Sequence, residues 1–218
     1  MEIDHVFICV RDHQQAADAM KSLGLSEGTP NVHPGQGTAN RRFFFHNAFI
    51  ELLHLTDEAQ AQSPLTAPTR LFERLTCTDG VVSPFGICFR PCADHQAPTF
   101  TTWDYRPTYL PAGLKVDVGT ACVSEPMWFF LSFAKRPDQA PAARAQPLEH
   151  RNEFHEITSV NVSSPHCHGA STAANSANLV DGFKLTQGEE HLITLEIDHG
   201  LHHRTHDFRP LLPMIINW

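Results

Sequence analysis

Apolar and polar residues alternate in three short stretches of the chain, and each stretch is followed further along by a second apolar run. The openings are EIDHVFICV (2–10), SPFGICFRP (83–91) and HEITSVNVS (155–163). The later runs begin at Asn47, Glu125 and Glu189. A strand-length run that recurs with a partner run indicates a duplicated supersecondary unit. The pattern therefore predicts an α+β protein built from repeats of one βαβββ module.

The first module has the clearest pattern. Alternation predicts a strand from Ile3 to Val10, with Ile3, His5, Phe7 and Cys9 on one face and Val6, Ile8 and Val10 on the other. Asp12 is a predicted N-cap, and apolar residues at helical spacing run from there to Gly24, which predicts a helix. Residues 27–40 predict a loop or a loosely paired strand. Residues 41–46 and 48–55 predict two further strands.

The rest of the chain follows the pattern less closely. Strands are predicted at 84–90 and 127–133, but Pro98 argues against a helix after the first of them. Residues 136–152 are rich in Pro and Ala and predict a linker. In the third unit we predict a strand at 157–162, a hairpin formed by 178–186 and 191–198, and an edge strand in the tail.

Composition restricts the functional class. The 218 residues are 41% hydrophobic and 18% charged, which is typical of a soluble globular protein. The apolar runs are far shorter than a bilayer span, and MEIDHV lacks the features of a signal peptide, so a cytoplasmic protein without a membrane partner is predicted. With 16 basic against 24 acidic residues and no basic stripe, nucleic acid is not an expected partner. The six cysteines show no CxxC spacing and predict buried thiols.

Glu51 is the most informative single residue. It lies within an apolar predicted strand, and burial of an ionised carboxylate without a partner is very costly. A metal ion, an arginine such as Arg41 or Arg42, or water in an open cavity would compensate its charge. His5 is the expected companion if the first and last strands of the module lie side by side. The structural alternative is a satisfied core histidine, with Glu51 paired to Arg41 or Arg42 across a hairpin.

The segment HPGQGTAN (33–40) has two interpretations. Its glycines are suited to backbone positions with positive φ. Thr38, Asn40 and Arg41 are suited to orienting a polar or anionic substrate at the mouth of a cavity. Some aromatic residues that are core residues by default are also expected to line such a pocket. These aromatic residues are Phe44, Trp103, Tyr105, Trp128 and Phe129.

Several segments together resemble the glyoxalase-like branch of the vicinal oxygen chelate superfamily. They are IDHVFICVRD, the helix end Leu23-Gly24-Leu25, HPGQGTANRRFFFHNAFIELLHL, SPFGICFR and PMWFFLSF. The resemblance covers roughly residues 1–133 and implies two βαβββ modules paired in a half-open β-barrel. It also implies a divalent metal, with His5 and Glu51 at the ligand positions of the first module. Zn, Fe, Mn, Ni and Co all remain open.

The second module departs from the family pattern. Residues 85–88 contain no histidine and residues 129–132 no glutamate, so two expected ligands are absent. Catalytic zinc sites typically have three protein ligands. A third ligand would therefore come from elsewhere, and we expect His155, with His33, His46 and His95 as alternatives.

Two histidine clusters lie near the C-terminal end. His199, His202, His203 and His206 fall within the segment DHGLHHRTHD, which has no recognised metal-site spacing and predicts an exposed loop rather than a transition-metal site. His166-Cys167-His168 lacks the basic or helical context of a reactive thiol, so a ligand or redox role is the weaker interpretation.

Two functional hypotheses follow from the resemblance. The first is a metal-dependent lyase, isomerase or ring-cleaving dioxygenase, with metal ligands His5, Glu51 and His155 and with Glu51 as the catalytic residue. The second is a metal-free binding protein of the antibiotic-resistance type. In both, a small oxygen-rich molecule contacts Thr38, Asn40, Arg41, Trp103 and Phe129, and the resemblance implies a homodimer. The expected domains are a glyoxalase-like domain (1–135, modules 1–56 and 83–135), a linker (136–152) and a C-terminal β-rich partial module (153–218) that packs on the first domain.

Overall fold

The first module folds in the predicted order. The structure, a computed structural model, describes residues 1–93, 95–165 and 170–218. The Asp12 carboxylate accepts a hydrogen bond from the Gln15 N–H, and Gly24 ends the helix with a φ of 112°. The predicted helix is thus confirmed with both of its caps. The elements of this module are β1 (Glu2–Cys9), α1 (His13–Leu23), β2 (Asn31–His33), β3 (Thr38–Phe44) and β4 (Phe49–Leu55).

The second module repeats the strands but not the helix. Two short helices, α2 (Glu58–Ala61) and α3 (Leu71–Thr76), connect the modules. The strands that follow are β5 (Phe85–Arg90), β6 (Thr102–Tyr105), β7 (Val116–Gly119) and β8 (Met127–Phe130). Between β5 and β6 the described residues contain no helix, as Pro98 predicts.

The eight strands form one sheet in the order β2-β3-β4-β1-β5-β8-β7-β6. Strands β1 and β5 pair antiparallel at its centre. On either side, the first and last strands of each module pair in parallel, β1 with β4 and β5 with β8. The modules therefore lie side by side, and the predicted half-open barrel of repeated βαβββ units is confirmed.

A β-bulge interrupts the pairing of β1 with β5. The register passes from Ile3 opposite Phe89 to His5 opposite Cys88, which leaves Asp4 as an extra residue. Such a bulge shifts the alternation of side chains by one position. Ile3 consequently packs against the main hydrophobic core. The prediction that Ile3 and His5 share a face is wrong for this reason.

The C-terminal part forms a second sheet of five strands in the order β10-β9-β11-β13-β12. Strand β9 lies between β10 and β11, parallel to the first and antiparallel to the second. The predicted hairpin is therefore wrong. The predicted tail strand forms, but it lies inside the sheet rather than at its edge. The elements are β9 (Ile157–Ser164), α4 (Thr172–Ala177), β10 (Phe183–Gln187), β11 (Leu192–Ile197), β12 (Thr205–Asp207) and β13 (Met214–Asn217).

One hydrophobic core joins the two sheets. It contains Val6 and Trp128 from the half-barrel together with Phe183 and Ile193 from the C-terminal sheet. The rings of Trp128 and Phe183 pack edge to face with 5.6 Å between centroids. A smaller core lies on the opposite face of the half-barrel and includes Phe7. Within the described part of the chain, no helix combines the length and apolar character needed to cross a bilayer.

Candidate functional site

A cavity of about 270 Å³ lies against the half-barrel, on the face opposite the main core. Its wall is largely apolar, and its polar groups come mainly from the first module. The apolar wall includes Phe7, Leu53, Leu71, Val116, Met127 and Phe129. The polar side includes His5, His33, Gln36, Asn40, Arg42 and Glu51.

Strand alternation explains which residues face this cavity. On β1, His5 and Phe7 are two positions apart and both line it. On β3 the same spacing brings Asn40 and Arg42 to the cavity, and on β4 it brings Glu51 into line with them. The parallel pairing of β1 with β4 then places the two strands side by side. The polar groups of three strands therefore converge at one side of the cavity.

His5 and Glu51 form the closest polar pair of the site. The His5 Nε2 atom lies 3.4 Å from Glu51 Oε2, and both residues are only 6% exposed. The Asn40 amide donates a hydrogen bond of 2.8 Å to Glu51 Oε1. The His5 ring also stacks on Phe49, with 4.3 Å between centroids. Both oxygens of the buried carboxylate thus have a polar partner, which offsets the cost of its burial.

Asp4 holds the other side of the imidazole ring. Its Oδ2 atom lies 2.7 Å from His5 Nδ1, and its Oδ1 atom lies 3.1 Å from the guanidinium of Arg90. Arg90 is fully buried and also contacts Glu2 at 2.8 Å and the backbone oxygen of Asn47 at 2.7 Å. This series of contacts orients His5 so that Nε2 faces Glu51.

These contacts set the charges of the pair. Burial acts to lower the pKa of His5, but its hydrogen bonds with Asp4, Cys88 and Glu51 raise that pKa well above its ordinary value. Burial acts to raise the pKa of Glu51, whereas the hydrogen bond and charge of His5 bring it down to about 2. An imidazolium held between two carboxylates is the state that these shifts favour.

A second polar group lies beside this pair. His33 Nδ1 lies 2.9 Å from the hydroxyl oxygen of Thr38, and the Gln36 amide donates to the same oxygen at 2.8 Å. Tyr105 donates its hydroxyl proton to Gln36 at 3.0 Å. Burial lowers the pKa of His33, so that its ring is neutral near pH 7. Thr38 is fully buried beneath the cavity, and its hydroxyl group contacts both His33 and Gln36.

The donor atoms fit a divalent metal only in part. Among the described residues, one group of three potential ligands converges within 4.8 Å, and it consists of Asp4, His5 and Cys88. Both oxygens of Asp4 already have partners. Burial raises the pKa of the Cys88 thiol to about 12, so a metal bound through this sulfur would have to displace its proton. Among the described residues, no group of three converging ligands includes Glu51, so no third ligand joins His5 and Glu51.

The second module supplies no charged counterpart to this pair. Cys88 lies directly opposite His5 in the register, and Phe129 lies opposite Cys88 on β8. In the first module Phe49 lies opposite His5, and Glu51 follows two positions later. The same step from Phe129 leads to Leu131. The second module therefore presents a thiol and an apolar side chain at the corresponding positions.

The residues expected to contact substrate divide into two groups. Asn40 and Phe129 line the cavity, and Thr38 lies beneath its polar side. Arg41 does not line it, because strand alternation directs it to the other face of β3, where its Nε lies 2.5 Å from Glu27. Trp103 packs edge to face on Tyr105 and is likewise not part of the lining.

The structure does not bring His155 to the cavity. Its side chain is exposed and its Nδ1 lies 3.3 Å from Asp198, while its backbone oxygen accepts from the His46 N–H. His95 also lies outside the cavity lining. Of the alternatives considered for a third ligand, only His33 lines the cavity.

Of the two C-terminal histidine clusters, the structure describes only the one at 199–206. His199, His202, His203 and His206 are exposed, which agrees with an exposed segment. They contribute no group of three converging ligands within the described residues. The segment His166-Cys167-His168 lies outside the described residues, and its interpretation stays a prediction.

Sequence reasoning missed Asp4, and it did not assign Gln36, Arg42 or Tyr109 to the cavity lining. Arg42 had a usable signal, because it lies two positions after Asn40 on the same strand. Asp4 had none, since only the bulge brings its carboxylate to the ring of His5. Gln36 and Tyr109 come from loops whose path the hydrophobic pattern does not determine.

Comparisons with known proteins agree with this architecture. Residues 3–180 match the family described as "Glyoxalase-like domain", which lies in the vicinal oxygen chelate superfamily. A crystal structure of a hypothetical protein from Staphylococcus aureus superposes with a TM-score of 0.55 at 11% identity, over 99% of this chain and 98% of that chain. At this identity the likeness concerns the fold alone. A search of curated proteins gives no significant match.

Proposed function

Since this chain belongs to the glyoxalase-like domain family, we propose that its half-barrel cavity binds a small molecule with an apolar body and an oxygen-bearing group. The observation that carries the proposal is the His5–Glu51 pair at the polar side of an otherwise apolar wall. Ligand sites are typically concave, mostly apolar and equipped with a few convergent polar groups.

The polar side offers both kinds of hydrogen bond to such a ligand. A carboxylate has more acceptor positions than its present partners use, so Glu51 can accept a hydrogen bond from a ligand hydroxyl. The Asn40 amide has a second N–H beyond the one it donates to Glu51, and it suits a ligand carbonyl. The His5 ring holds Glu51 in place through the contact between Nε2 and Oε2.

Glu51→Gln tests this role. The substitution preserves shape but removes the negative charge and half of the acceptor capacity. Binding of hydroxy and keto compounds, screened by thermal shift and quantified by calorimetry, is expected to weaken by about tenfold, the effect of losing one hydrogen bond to a charged group. Glu27→Gln is the matched control, because Glu27 pairs with Arg41 on the outer face. Full affinity in the Glu51→Gln protein would contradict the proposed contact.

A second candidate function is that of a metal-dependent lyase, isomerase or dioxygenase. The observation in its favour is the hydrogen bond between Asp4 and His5 Nδ1, since metal-bound histidines usually bond a carboxylate through their other nitrogen. His5 Nε2 and Glu51 would hold the ion. A bound divalent metal supplies Lewis-acid polarisation of a substrate oxygen. Asp4 would then fix the orientation of the His5 ring. Glu51 would take or return a proton at the substrate.

Metal analysis of protein prepared without a histidine tag separates the two candidates. Exposed histidines can bind metals adventitiously, and several lie near residue 200, so the measurement is made in a His202→Ala, His203→Ala background. A metal-dependent protein is expected to retain about one ion per chain there, and His5→Ala is expected to remove it. If no metal binds or rebinds, and His5→Ala leaves ligand affinity unchanged, the metal-dependent function is wrong.

A further inference from the structure

We infer that the ligand of this cavity carries a carboxylate, and that Arg42 binds it. The inference rests on the proposed binding function and adds the substrate class. It begins from an observation that the His5–Glu51 pair does not explain. Arg42 is a cation in the cavity lining without a carboxylate partner among the described residues.

The position of Arg42 leaves part of its guanidinium free for a ligand. Its Nε donates a hydrogen bond of 2.9 Å to the backbone oxygen of Thr29, and its carbon Cζ lies 5.1 Å from the centre of the Phe44 ring. These contacts hold the guanidinium plane in place. Its two terminal NH₂ groups have no hydrogen-bond partner in the described part of the chain. Planar guanidinium groups bind carboxylates through two parallel hydrogen bonds.

The carboxylates near Arg42 already have partners of their own. Glu51 lies opposite Arg42 in the β3–β4 register but is bonded to His5 and Asn40. Asp4 is bonded to His5 and Arg90. Neither carboxylate forms a hydrogen bond or ion pair with Arg42, and the unbonded NH₂ groups of its guanidinium suit an anionic ligand.

A second cavity continues from the first at Arg42. The two share Arg42, Phe49 and Phe133, and the second runs beneath the connector between β8 and β9. Lys135 and Arg144 line it and make no ion pair with any described residue. Of its described lining residues, only Asp4 carries a carboxylate. This basic lining stands out in a chain with a formal charge of −8 and supplies an approach for anions.

Arg41 provides an internal comparison. It is the adjacent residue on β3, but it faces the other side of the strand. Both ends of its guanidinium bind Glu27, and its NH1 also donates to Gln14. Of two neighbouring arginines, the outer one is fully paired and the one in the cavity is not.

Matched acids and amides test the inference on the full-length protein. Hexanoate, octanoate and phenylacetate are compared by calorimetry with hexanamide, octanamide and phenylacetamide, which have nearly the same shape and no charge. The acids are expected to bind at least tenfold more tightly than the amides. Arg42→Gln is expected to remove most of this difference, and Arg42→Lys to retain part of it. Arg41→Gln, the matched control, is expected to leave it unchanged.

Each outcome has a defined meaning. Equal binding of acids and amides by the unaltered protein overturns the inference and leaves the binding function standing. Undiminished acid binding by Arg42→Gln, with the fold verified by circular dichroism, also overturns it. If neither acids nor amides bind, the inference fails together with the proposed function. The expected pattern should weaken with added salt, because Lys135 and Arg144 act through exposed charge.

Discussion

At the scale of single residues, one extra residue in β1 determines how the site is organised. The bulge at Asp4 brings the side chains of Asp4 and His5, which are adjacent in sequence, into one polar cluster. Asp4 contacts one nitrogen of the His5 ring, and Glu51 faces the other. Bulges are often found next to functional sites, where they redirect a side chain. Without the extra residue, His5 would have no carboxylate at Nδ1 to hold its ring.

His54 leads to a prediction on pH dependence. Its ring stacks on that of His13 with 3.8 Å between centroids. Burial, followed by the charges of His13 and Arg41, lowers the pKa of His54 from 6.5 to about 4. The unfolded chain therefore takes up a proton at a higher pH than the folded protein does. The free energy of unfolding is expected to fall as the pH drops from 6.5 to about 4.

His54→Asn removes this contribution. Because His54 is partly exposed, the loss in the unaltered protein amounts to about 1 kcal/mol after allowance for solvent screening. Urea unfolding at a series of pH values measures the difference between the two proteins. His206→Asn, at an exposed position, is the control and should follow the unaltered protein. A constant difference between the His54→Asn and unaltered proteins across this pH range would contradict the prediction.

At the scale of elements, the central pair of strands controls the shape of the cavity. Gly86 on β5 lies opposite Phe7 on β1, and a Cβ at position 86 would overlap the Phe7 ring. Phe7 is part of the cavity wall. The absence of a side chain at position 86 therefore lets Phe7 lie flat against the sheet.

Gly86→Ala tests this packing. The added methyl group displaces Phe7 into the cavity, so we expect a loss of about 1–3 kcal/mol in the free energy of unfolding and weaker ligand binding. Chemical denaturation and calorimetry measure the two effects. A double variant, Phe7→Leu with Gly86→Ala, makes room for the methyl group and should recover part of the stability. If the single variant is as stable as the unaltered protein, Gly86 has no such packing role.

The elements also show how far the sequence predicts this fold. Periodicity and caps predict β1 and α1 almost to the residue, because local interactions determine them. For the strands that follow α4, proximity in sequence predicts a hairpin, because consecutive strands usually pair with each other. Packing of these strands in the core separates β10 from β11 instead. Phe183 packs on Trp128, and β9 lies between β10 and β11. Contacts between residues so far apart in sequence leave no local pattern in the chain.

The candidate site was predictable to a similar extent. His5 and Glu51 are polar residues in apolar strands, and that contrast identifies them without any structure. His155 was chosen as a third ligand from its place at the head of a repeat. The C-terminal unit, however, packs on the main core, away from the cavity. Which face a repeat presents to its neighbour depends on packing between sheets.

At the scale of the whole molecule, Glu125 connects the half-barrel to the C-terminal unit. Its buried carboxylate accepts a hydrogen bond of 2.8 Å from the Trp128 indole and others from the N–H and hydroxyl of Ser171. Ser171 is also the N-cap of α4. One side chain thus fixes the start of a C-terminal helix to the wall of the barrel.

Glu125→Gln should destabilise the protein although it changes few atoms. The amide nitrogen replaces an acceptor in a buried position that faces only donors, and an unsatisfied buried donor costs about 1–3 kcal/mol. Thermal and urea unfolding measure the loss. Glu153→Gln, at an exposed position, is the control and should have no effect. Equal stability of the two variants would show that the contact contributes little.

The core that the two sheets share predicts that they unfold together. Residues of both sheets pack in one cluster, so loss of either sheet exposes apolar surface of the other. We expect a single urea transition with the same midpoint for circular dichroism and for the fluorescence of Trp218 in a Trp103→Phe, Trp128→Phe background. The double variant alone, followed by circular dichroism, controls for the substitutions. Two separate midpoints would support independent domains at 1–135 and 153–218.

The polar residues of the cavity come mainly from the first module, and this asymmetry has a consequence for how the ligand preference of such a protein can change. The polar groups proposed to bind a ligand lie mainly on β1, β3 and β4, while Met127 and Phe129 on β8 form part of the apolar wall. Substitution of one apolar side chain on β8 changes the shape of the cavity and leaves these polar groups in place. Under the proposed binding function, ligand preference can therefore change in small steps, because part of the cavity wall can vary without any change to the polar contacts.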